Sequence, residues 1–284
     1  MDGGDHNFVL TLSDFDAIKY IGVGGYGKVF LVYDRYSHKH LGMKVVPKRK
    51  LRLPKWVKLF EEQRIMRLLE DCPWAVKLQG SFEDSLNFYM VMQYAAGGDL
   101  LQRLRRQRRF KPSAVRQIFA ELVLAVQELH KRRIMHRDIK LENILLDKDG
   151  HALLADFGLS IGFDAETRVW NDMVGTMGYA APELIDAKYT YHSYEVDIFS
   201  LGVCVYMLLV GAMPFGNEER MKFEDVAERT MHQPAAYPDD VDACTRDLFD
   251  RMLAKDPRQR ITIPDIKAHP YFDHMSVVES SPYL

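Results

Sequence analysis

The chain changes character at Ala95-Ala96-Gly97-Gly98, a junction of small residues that predicts a flexible connection. Before the junction, residues 15–46 form short runs rich in Val, Ile, Tyr and Phe, interrupted by glycines and by the Asp34–His40 turn cluster. The same pattern returns in Val76–Phe82 and Phe88–Tyr94. These runs predict an antiparallel set of short strands in the first third of the chain.

Helical patterns dominate the other side of the junction. The motif Lys111-Pro112-Ser113 predicts the start of a long helix, with Ser113 as its N-cap. Most of the chain beyond residue 180 also has helical spacing, whereas the strand-rich part contains one predicted helix, from Pro54 to Glu70. The expected fold class is therefore α+β, with a small β-rich lobe followed by a larger α-rich lobe.

Composition excludes several classes of protein. The chain has 284 residues, of which 47% are hydrophobic and 27% are charged, so a packed core is expected and general disorder is excluded. The net charge of −2 argues against a nucleic-acid-binding protein. The longest apolar run, Leu201–Phe215, is short for a membrane span and predicts a buried core helix. Three scattered cysteines predict a protein without disulfides.

The near-zero net charge conceals a strong asymmetry. Counting Lys and Arg against Asp and Glu gives +8 for residues 96–140 and −13 for residues 141–284. Two basic runs, Lys48–Lys58 and Arg103–Lys111, contain six Lys or Arg each. A solvated helical surface accounts for both runs most simply. As alternatives, Lys48–Lys58 could be a nuclear-localisation or acidic-partner patch, and Arg103–Lys111 could bind an acidic regulator or substrate.

Two features of the strand-rich part favour phosphate binding. The segment Gly22–Val29 contains four glycines between two strand-like runs, and glycines let backbone N–H groups approach phosphate oxygens. A plain turn explains such a segment equally well. Lys44 lies inside an apolar strand, where its charge needs a partner or an anion. On the following helix Glu62 is the preferred partner over Glu61, because Met66 and Leu69 share its helical face.

The most specific pattern is His136-Arg137-Asp138-Ile139-Lys140-Leu141-Glu142-Asn143, followed by Asp156-Phe157-Gly158. Asp138 can accept a proton from an alcohol, and Lys140 can neutralise a transferring phosphoryl group. Asn143 and Asp156 offer oxygen ligands of the kind that Mg²⁺ prefers. These motifs, in this order behind a glycine-rich loop and a strand lysine, predict phosphoryl transfer.

With these motifs and with Ala181-Pro182-Glu183 and Asp197–Gly202, the chain resembles the eukaryotic protein kinases over about residues 15–275. It is most similar to the serine/threonine type of the AGC group, typified by cAMP-dependent kinase, although a calmodulin-kinase-like placement stays open. The resemblance implies one kinase domain over residues 1–284. Its N-lobe would cover about 1–94, its hinge about 93–97 and its mainly α-helical C-lobe about 98–284.

The resemblance also implies roles for individual residues, with ATP and Mg²⁺ as cofactors. Asp138 would be the catalytic base, assisted by Lys140, and Lys44 would hold the α- and β-phosphates while paired with Glu62. Asn143 and Asp156 would bind Mg²⁺. The other nucleotide-binding residues would be Ile21, Gly22, Gly24, Gly27, Val29, Gly42, Val76, Met92, Gln93, Ala95, Asp99 and Leu145. Asp197 would brace the catalytic loop, and Glu183 would pair with Arg260.

Specificity and regulation follow from the same resemblance. Asp99 and Glu142 match acidic positions that bind an arginine three residues before the acceptor. A third acidic position of the family, which binds an arginine two residues before the acceptor, is Met207 here, so one basic residue is expected rather than two. Asp172 stands where related kinases carry a phosphothreonine, so its charge could partly replace the phosphate by pairing with Arg137, with Lys58 as a second candidate partner. A solvated loop aspartate explains Asp172 equally well. Thr167 and Ser160 are candidate phosphorylation sites.

Two other classes of function compete with an active protein kinase. A pseudokinase scaffold would lack one of the reacting groups, and all five of Lys44, Glu62, Asp138, Asn143 and Asp156 are present. A small-molecule phosphotransferase is disfavoured by the full-length segment between Asp156 and Glu183. We expect a monomer acting on protein substrates with basic residues near the acceptor, without nucleic acid or a membrane span. The expected location is the cytoplasm, with the nucleus as the alternative.

Overall fold

The computed structural model describes residues 10–25, 27–163, 169–170, 174–186, 188–216 and 221–273. The chain divides into two compact units. The first unit comprises Met1–Glu70 and Val76–Tyr94, and the second comprises Asp71–Ala75 and Ala95–Leu284. The first unit carries an antiparallel sheet and the second is mainly helical, so the predicted α+β fold class is confirmed.

The first unit is built on a five-stranded antiparallel sheet whose strands follow the order β1-β2-β3-β5-β4. The strands are β1 (Phe15–Gly24), β2 (Gly27–Asp34), β3 (Lys39–Pro47), β4 (Leu78–Glu83) and β5 (Asn87–Gln93), and helix α1 (Leu53–Leu68) connects β3 to β4. Short 3₁₀ turns cover Leu12–Asp14 and Lys48–Lys50. Successive side chains of a strand point to opposite faces, so the central strands β3 and β5 contribute apolar side chains to both faces of the sheet.

The two faces of this sheet bury different clusters. One face carries Phe15, Val32, Leu41, Met43, Tyr89 and Val91. The other carries Val46, Phe88 and Met90, which pack with Leu51 and with Leu59 of α1. Helix α1 therefore covers the face of β3 on which even-numbered side chains point. That face also receives Lys44, two residues before Val46.

The second unit is mainly helical. Its helices are α2 (Leu100–Gln107), α3 (Pro112–Lys131), α4 (Pro182–Ile185), α5 (Glu195–Val210), α6 (Phe223–His232), α7 (Ala243–Met252) and α8 (Ile263–Lys267). Short 3₁₀ turns cover Leu141–Asn143, Pro257–Gln259 and Pro270–Phe272. Helix α5 is buried from Val196 to Leu208, as predicted for the Leu201–Phe215 run. In the described part of the chain, no helix is long and apolar enough to cross a membrane.

Small sheets in the second unit hold the loops that carry polar motifs. Strands β6 (Gly98–Asp99), β8 (Ile144–Leu146) and β9 (Ala152–Leu154) form one antiparallel sheet. Strand β7 (Ile134–Met135) pairs with β10 (Ile161–Gly162), and β11 (Val169–Trp170) pairs with β12 (Tyr191–His192). The segment from residue 136 to 143 is therefore anchored by strands on both sides.

The start of α3 differs from the prediction. Lys111, not Ser113, is the N-cap residue, and no side chain caps this helix. Pro112 occupies the first helical position, where its missing N–H costs nothing and its fixed φ suits the helix. Ser113 is thereby placed one residue inside the helix, so the predicted capping role was wrong.

Candidate active site

In the first unit, a buried ion pair links the sheet to the helix. Lys44 on β3 is 2% exposed, and Glu62 on α1 is 1% exposed. The Nζ atom of Lys44 donates to Oε1 of Glu62 at 2.5 Å. The neighbouring Glu61 pairs instead with Arg64 at 2.6 Å on the surface of the helix. The structure therefore contains the Lys44–Glu62 pair, and burial keeps the attraction between the two charges strong.

Glycines bring the β1–β2 hairpin close to this pair. A Cβ atom at Gly24 would lie 2.8 Å from Cε of Lys44, and a Cβ at Gly27 would lie 2.2 Å from the carbonyl oxygen of Val45. A backbone carbonyl cannot give way to a side chain, so Gly27 has to be glycine for this close packing of β2 on β3. A Cβ atom at Gly22 would have no neighbouring atom within 4 Å.

The structure places the remaining predicted nucleotide-binding residues of the first unit on its strands and on the segment before β4. Val76 is buried, Val29, Met92 and Gln93 are half-buried, and Ile21 is 36% exposed. Gly42 pairs with Leu31 on one side and Met92 on the other. A Cβ at Gly42 would lie 3.9 Å from its nearest neighbours, so a methyl group would fit there without displacing any atom.

In the second unit, Ala95 is buried and Leu145 lies half-buried on β8. Asp99 caps the start of α2, where its carboxylate accepts from Gln102 N at 2.8 Å and from Gln102 Nε2 at 2.6 Å. This capping role was not predicted from the sequence. Each carboxylate oxygen can accept more than one hydrogen bond, so capping does not exclude a ligand.

Asp138 lies at the centre of a compact polar network. Its Oδ1 accepts a hydrogen bond from the Thr176 hydroxyl at 2.7 Å, and its Oδ2 lies 2.8 Å from the Lys140 ammonium. The same ammonium donates to the Thr176 hydroxyl at 2.8 Å. Asp138 is 8% exposed, so one carboxylate is held against a hydroxyl and a cation with little solvent. Such an arrangement suits proton acceptance from a hydroxyl.

Asn143 is positioned by the same carboxylate. Its Nδ2 donates to the Asp138 carbonyl at 2.9 Å and to Asp138 Oδ2 at 3.1 Å. These bonds orient the amide and leave Oδ1 as its acceptor atom. A carboxylate together with an amide oxygen fits Mg²⁺, which is usually held by one or two carboxylates plus substrate phosphates.

Asp156, which would bind Mg²⁺ together with Asn143, lies in a constrained turn. Its φ of 56° is in the left-handed region, as is the φ of 65° at Arg137. Gly158 N–H donates to Asp156 Oδ1 at 3.4 Å, and Phe157 is fully buried against the His136 ring, with centroids 5.2 Å apart. Backbone strain of this kind costs about 1–3 kcal/mol per residue and is maintained only by the surrounding structure.

Asp197, at the start of α5, holds the catalytic-loop backbone as predicted. It is fully buried, and its carboxylate accepts from the N–H of His136 at 2.9 Å and of Arg137 at 2.8 Å. His130 Nε2 lies 2.9 Å from the same carboxylate. Burial alone would raise the pKa of Asp197, but the His130 hydrogen bond and charge and the Arg137 amide outweigh it, so the pKa is lowered.

The segment from Asp156 to Glu183, which the resemblance identifies as the activation segment, is described in part. Asp172 and the candidate phosphorylation site Thr167 lie outside the described residues. Ser160 is 7% exposed and its hydroxyl lies 3.3 Å from the His136 carbonyl oxygen, so phosphorylation of Ser160 would require this segment to open. Arg137, the expected partner of Asp172, donates from Nε to the Leu159 carbonyl at 2.9 Å.

The predicted pair between Glu183 and Arg260 is present as a buried bidentate interaction. Arg260 NH1 and NH2 donate to the two oxygens of Glu183 at 2.6 and 3.0 Å, and both side chains are almost fully buried. Arg260 also donates to the carbonyls of Glu195 and Ala254, at 2.7 and 3.0 Å. One guanidinium thus joins α4, the start of α5 and the loop after α7.

Thr176 is the site residue whose role sequence reasoning missed. The residues around Thr176 predict no role for it, whereas the structure gives its hydroxyl two contacts at the centre of the network. Gly175 has a φ of 101°, and a Cβ there would lie 3.0 Å from the Arg137 carbonyl. A glycine before a hydroxyl residue, ahead of Ala181-Pro182-Glu183, was the signal available.

Comparison with known proteins places the chain in a family. Residues 15–272 match the protein kinase domain. Human ribosomal protein S6 kinase alpha-4 is 36% identical over 96% of this chain and 37% of its own length. The 3-phosphoinositide-dependent protein kinase B of Dictyostelium discoideum is 37% identical, over 95% of this chain and 30% of its own. The cAMP-dependent protein kinase type 3 of Saccharomyces cerevisiae is 32% identical, over 93% and 66%.

The chain therefore spans about a third of the length of the S6 kinase and the phosphoinositide-dependent kinase, and about two thirds of the cAMP-dependent one. The predicted resemblance to serine/threonine protein kinases of the AGC group is confirmed by these matches. The motifs, the geometry and the comparisons agree, and the chain belongs to the protein kinase domain family.

Proposed function

We propose that this chain transfers the γ-phosphate of ATP to serine and threonine hydroxyls of protein substrates, with Mg²⁺ as its metal cofactor. The contact of Asp138 and Lys140 with one threonine hydroxyl, at 2.7 and 2.8 Å, carries the proposal. It demonstrates that this carboxylate accepts a hydrogen bond from an alcohol while an ammonium group stands beside it. A substrate hydroxyl needs the same two partners during phosphoryl transfer.

Each residue has a defined task in this reaction. Asp138 accepts the proton of the attacking hydroxyl, and Lys140 offsets the negative charge of the transferring group. Lys44, oriented by Glu62, binds the α- and β-phosphates. Mg²⁺, when bound by Asn143 and Asp156, supplies further charge neutralisation. Gly22, Gly24 and Gly27 allow backbone N–H groups to approach the phosphates. Each of the other predicted nucleotide-binding residues would contribute to ATP binding from its own unit: Ile21, Val29, Gly42, Val76, Met92 and Gln93 in the first, and Ala95, Asp99 and Leu145 in the second.

Replacement of Asp138 by asparagine tests the proposed base. We expect Asp138→Asn to lower the rate of radiolabelled phosphate transfer to an arginine-containing peptide by at least about 100-fold, because an amide cannot accept the proton. Asp156→Asn should abolish transfer by weakening metal binding. Asp149→Asn, in the exposed turn between β8 and β9, is the matched control and should retain full activity.

The outcomes of this assay also separate the competing functions. If the unaltered chain binds ATP, measured by a thermal shift, but transfers no phosphate to any peptide of a positional-scanning library, the chain is a nucleotide-binding scaffold. If Asp138→Asn transfers phosphate at the rate of the unaltered protein, Asp138 is not the base. Retained folding of each variant is checked by its melting temperature.

The preferred substrate carries one basic residue three positions before the acceptor. Asp99 and Glu142 are the acidic residues that support this preference. The Tyr179 hydroxyl donates to Glu142 Oε2 at 3.3 Å, which orients the Glu142 carboxylate. Met207 is 6% exposed and apolar, so a second arginine would find no acid there. Changing the first arginine of the peptide to alanine should raise KM about tenfold or more, since each lost charge-assisted contact contributes about 1.5–3 kcal/mol. An unchanged KM contradicts the preference.

Partners and location complete the proposal. We infer a monomer in the cytoplasm, with the nucleus as the alternative location, and an acidic regulator or substrate segment that binds the basic run Arg103–Lys111. The absence of an acidic residue between Leu100 and Ala120 supports this last inference. Gel filtration with light scattering tests the oligomeric state.

A further inference from the structure

A groove with a cationic rim opens on the second unit, in the region where α2, α3 and the β8–β9 turn meet. Its volume is about 470 Å³. Arg103, Arg109 and Lys111 contribute to its wall, and among the described residues no acidic side chain does so. The buried side chains of Phe110, Ile118 and Leu146 form an apolar floor. We call this feature the basic groove.

The turn that carries the cations is firmly built. Arg108 N–H donates to the Leu104 carbonyl at 2.7 Å and Phe110 N–H donates to the Leu208 carbonyl at 2.8 Å. Gly211, which ends α5, packs so closely that a Cβ there would lie 2.4 Å from the Arg108 carbonyl oxygen. The arginines are therefore held on a rigid backbone, which lowers the entropy lost when they bind a ligand.

Arg108 occupies a conformation that arginine rarely adopts. Its φ is 66°, in the left-handed region where glycine or asparagine would be less strained. The Arg108 side chain, which carries a full positive charge, is exposed. A cation is thus kept on this turn at a conformational cost of about 1–2 kcal/mol.

Most of the charge around the groove is not neutralised locally. Within the described part of the chain, Arg106, Arg108 and Lys111 have no acidic partner. Arg109 pairs with Asp240 at 2.8 Å, but both side chains are more than half exposed, so the pair contributes little and can exchange. Arg103 Nε donates to the Gly97 carbonyl at 3.1 Å, which anchors its guanidinium beside the groove.

The two acidic residues of the adjacent β8–β9 turn do not compete for these cations. Asp147 Oδ1 accepts from the N–H of Asp149 at 2.8 Å and of His151 at 2.9 Å, so its carboxylate closes the turn. Asp149 pairs with Lys148 at 2.7 Å. The groove therefore presents a net positive field to a ligand.

We propose that the basic groove is a docking site for an acidic segment of a partner protein, one that combines Asp or Glu residues with a single aliphatic side chain. This proposal deepens the acidic-partner inference above and concerns a site other than the one at Asp138. The carboxylates of the segment pair with Arg109, Lys111 and Arg103, and its aliphatic side chain packs on Ile118 and Leu146. Charge complementarity and a concave, apolar floor both favour this occupant.

The same observations disfavour larger polyanions. Asp147 and Asp149 of the adjacent turn, together with Asp240 beside Arg109, would repel a nucleic acid or an anionic membrane that extends beyond the groove. The groove offers no exposed aromatic ring for stacking a base, since Phe110, the one aromatic in its lining, is 8% exposed. A short acidic peptide contacts only the local cations.

The test measures peptide binding directly, by fluorescence anisotropy with the full chain. The probe is a fluorescein-labelled peptide of sequence Glu-Glu-Asp-Leu-Glu-Asp, and the comparison peptide replaces its leucine with serine. We expect saturable binding that weakens as salt rises from 50 to 300 mM and weakens at least threefold in the serine peptide. Equal binding of both peptides overturns the apolar part of the proposal.

Three variants locate the site. The pair Arg109→Ala and Lys111→Ala should weaken binding about tenfold or more. The matched control, Arg49→Ala with Lys50→Ala, removes the same charge from the other basic run and should leave binding unchanged. Ala114→Leu fills the groove from helix α3 without altering charge, and it should weaken binding while the melting temperature stays within a few degrees. Equal losses in control and test pairs overturn the proposal.

Two further measurements decide between occupants and between proposals. A 12-nucleotide single-stranded DNA and phosphatidylserine vesicles serve as polyanion probes. If either binds more tightly than the peptide, and the Arg109→Ala and Lys111→Ala pair abolishes that binding, the groove is a site for nucleic acid or membrane instead. Asp138→Asn should bind the peptide as the unaltered chain does. Peptide binding without phosphate transfer overturns the catalytic proposal alone, and transfer without peptide binding overturns the docking site alone.

Discussion

At the scale of single residues, Lys255 has an unusual environment. Its Nζ atom lies 3.5 Å from the ring centroid of Phe215 and 5.6 Å from that of Phe199, and it has no hydrogen-bond partner in the described part of the chain. Burial, followed by the positive charge of Arg260, lowers the pKa of Lys255 to about 7. The ring contacts favour the charged form and act in the opposite direction.

This lowered pKa predicts a pH-dependent stability. Between pH 7 and the ordinary lysine value of 10.5, the unfolded chain holds a proton at Lys255 that the folded chain has lost, so the free energy of unfolding rises with pH over this window. Lys255→Met keeps the side-chain length and removes the titration. We expect the methionine variant to be more stable at pH 6–7, with its advantage shrinking toward pH 10.

Urea denaturation of both proteins at pH 6, 7, 8 and 9.5 measures the effect, and the difference between the two curves removes the contributions of other titrating groups. Parallel curves would show that the aromatic rings keep Lys255 charged throughout. The control is Lys188→Met. This side chain is 60% exposed, and its hydrogen bond with Asp186 raises its pKa, so it stays charged from pH 6 to 9.5 and should produce no pH-dependent difference over this range.

Single residues also show where local patterns suffice. Lys44 with Glu62 could be predicted because a charge in an apolar run requires a partner, and few partners are available. Glu183 with Arg260 was predicted only through the resemblance to protein kinases. The role of Thr176 could not be predicted in the same way. Nothing in the residues around it places its hydroxyl beside Asp138, 38 positions earlier.

At the scale of secondary structure elements, helix α7 depends on its first residue. Asp242 is its N-cap, and its carboxylate accepts from Thr245 N–H at 2.9 Å and from the Thr245 hydroxyl at 2.7 Å. These Thr245 hydrogen bonds lower the pKa of Asp242. The contribution of the ionised Asp242 carboxylate to the free energy of unfolding is therefore complete above the ordinary pKa of 3.8, and it is lost as the pH falls through the lowered pKa.

Replacing this cap tests how much the helix depends on it. Asp242→Ala should lower the free energy of unfolding by about 1 kcal/mol at pH 7, because it leaves the Thr245 N–H without its acceptor. Asp242→Asn keeps an oxygen acceptor and should lose less than half of that amount. Urea midpoints of the three proteins measure the series, and equal stability of all three would show that water replaces the cap.

Element types were predictable from periodicity, and element ends were not. Helix α1 was expected from Pro54 to Glu70 and extends from Leu53 to Leu68, and β4 begins at Leu78 rather than Val76. The N-cap of α3 moved to Lys111 because Pro112 takes the first helical position. Ends depend on which hydrogen-bond acceptors the surroundings supply, and those lie outside the local sequence.

At the scale of the whole molecule, the Glu183–Arg260 pair ties distant parts of the second unit together. The two residues lie 77 positions apart, and Arg260 also serves the carbonyls of Glu195 and Ala254. Because both charges are almost fully buried, removing one leaves the other without compensation. The pair should therefore matter far more for stability than any of the exposed ion pairs.

Glu183→Ala should lower the free energy of unfolding by about 3–5 kcal/mol, because it leaves the buried Arg260 charge unpaired. Glu183→Gln retains one acceptor oxygen and should lose less. Glu61→Ala, which removes a pair whose arginine is 53% exposed, should change stability by less than about 1 kcal/mol. Thermal melts and urea titrations measure all three, and a loss at Glu183 as small as that at Glu61 contradicts the structural role.

The sequence by itself determined the α+β class, the order of the phosphate-handling motifs and therefore the family, since each of these depends on residue type, period and spacing along the chain. Only the tertiary structure decided that Thr176 contacts Asp138 and Lys140, that Asp99 caps α2, and that Arg103, Arg109 and Lys111 surround one groove with an apolar floor. The physical reason is that such contacts join residues from separate elements. Hydrogen bonds and charge pairs act over a few ångströms, and packing alone decides which distant residues come that close.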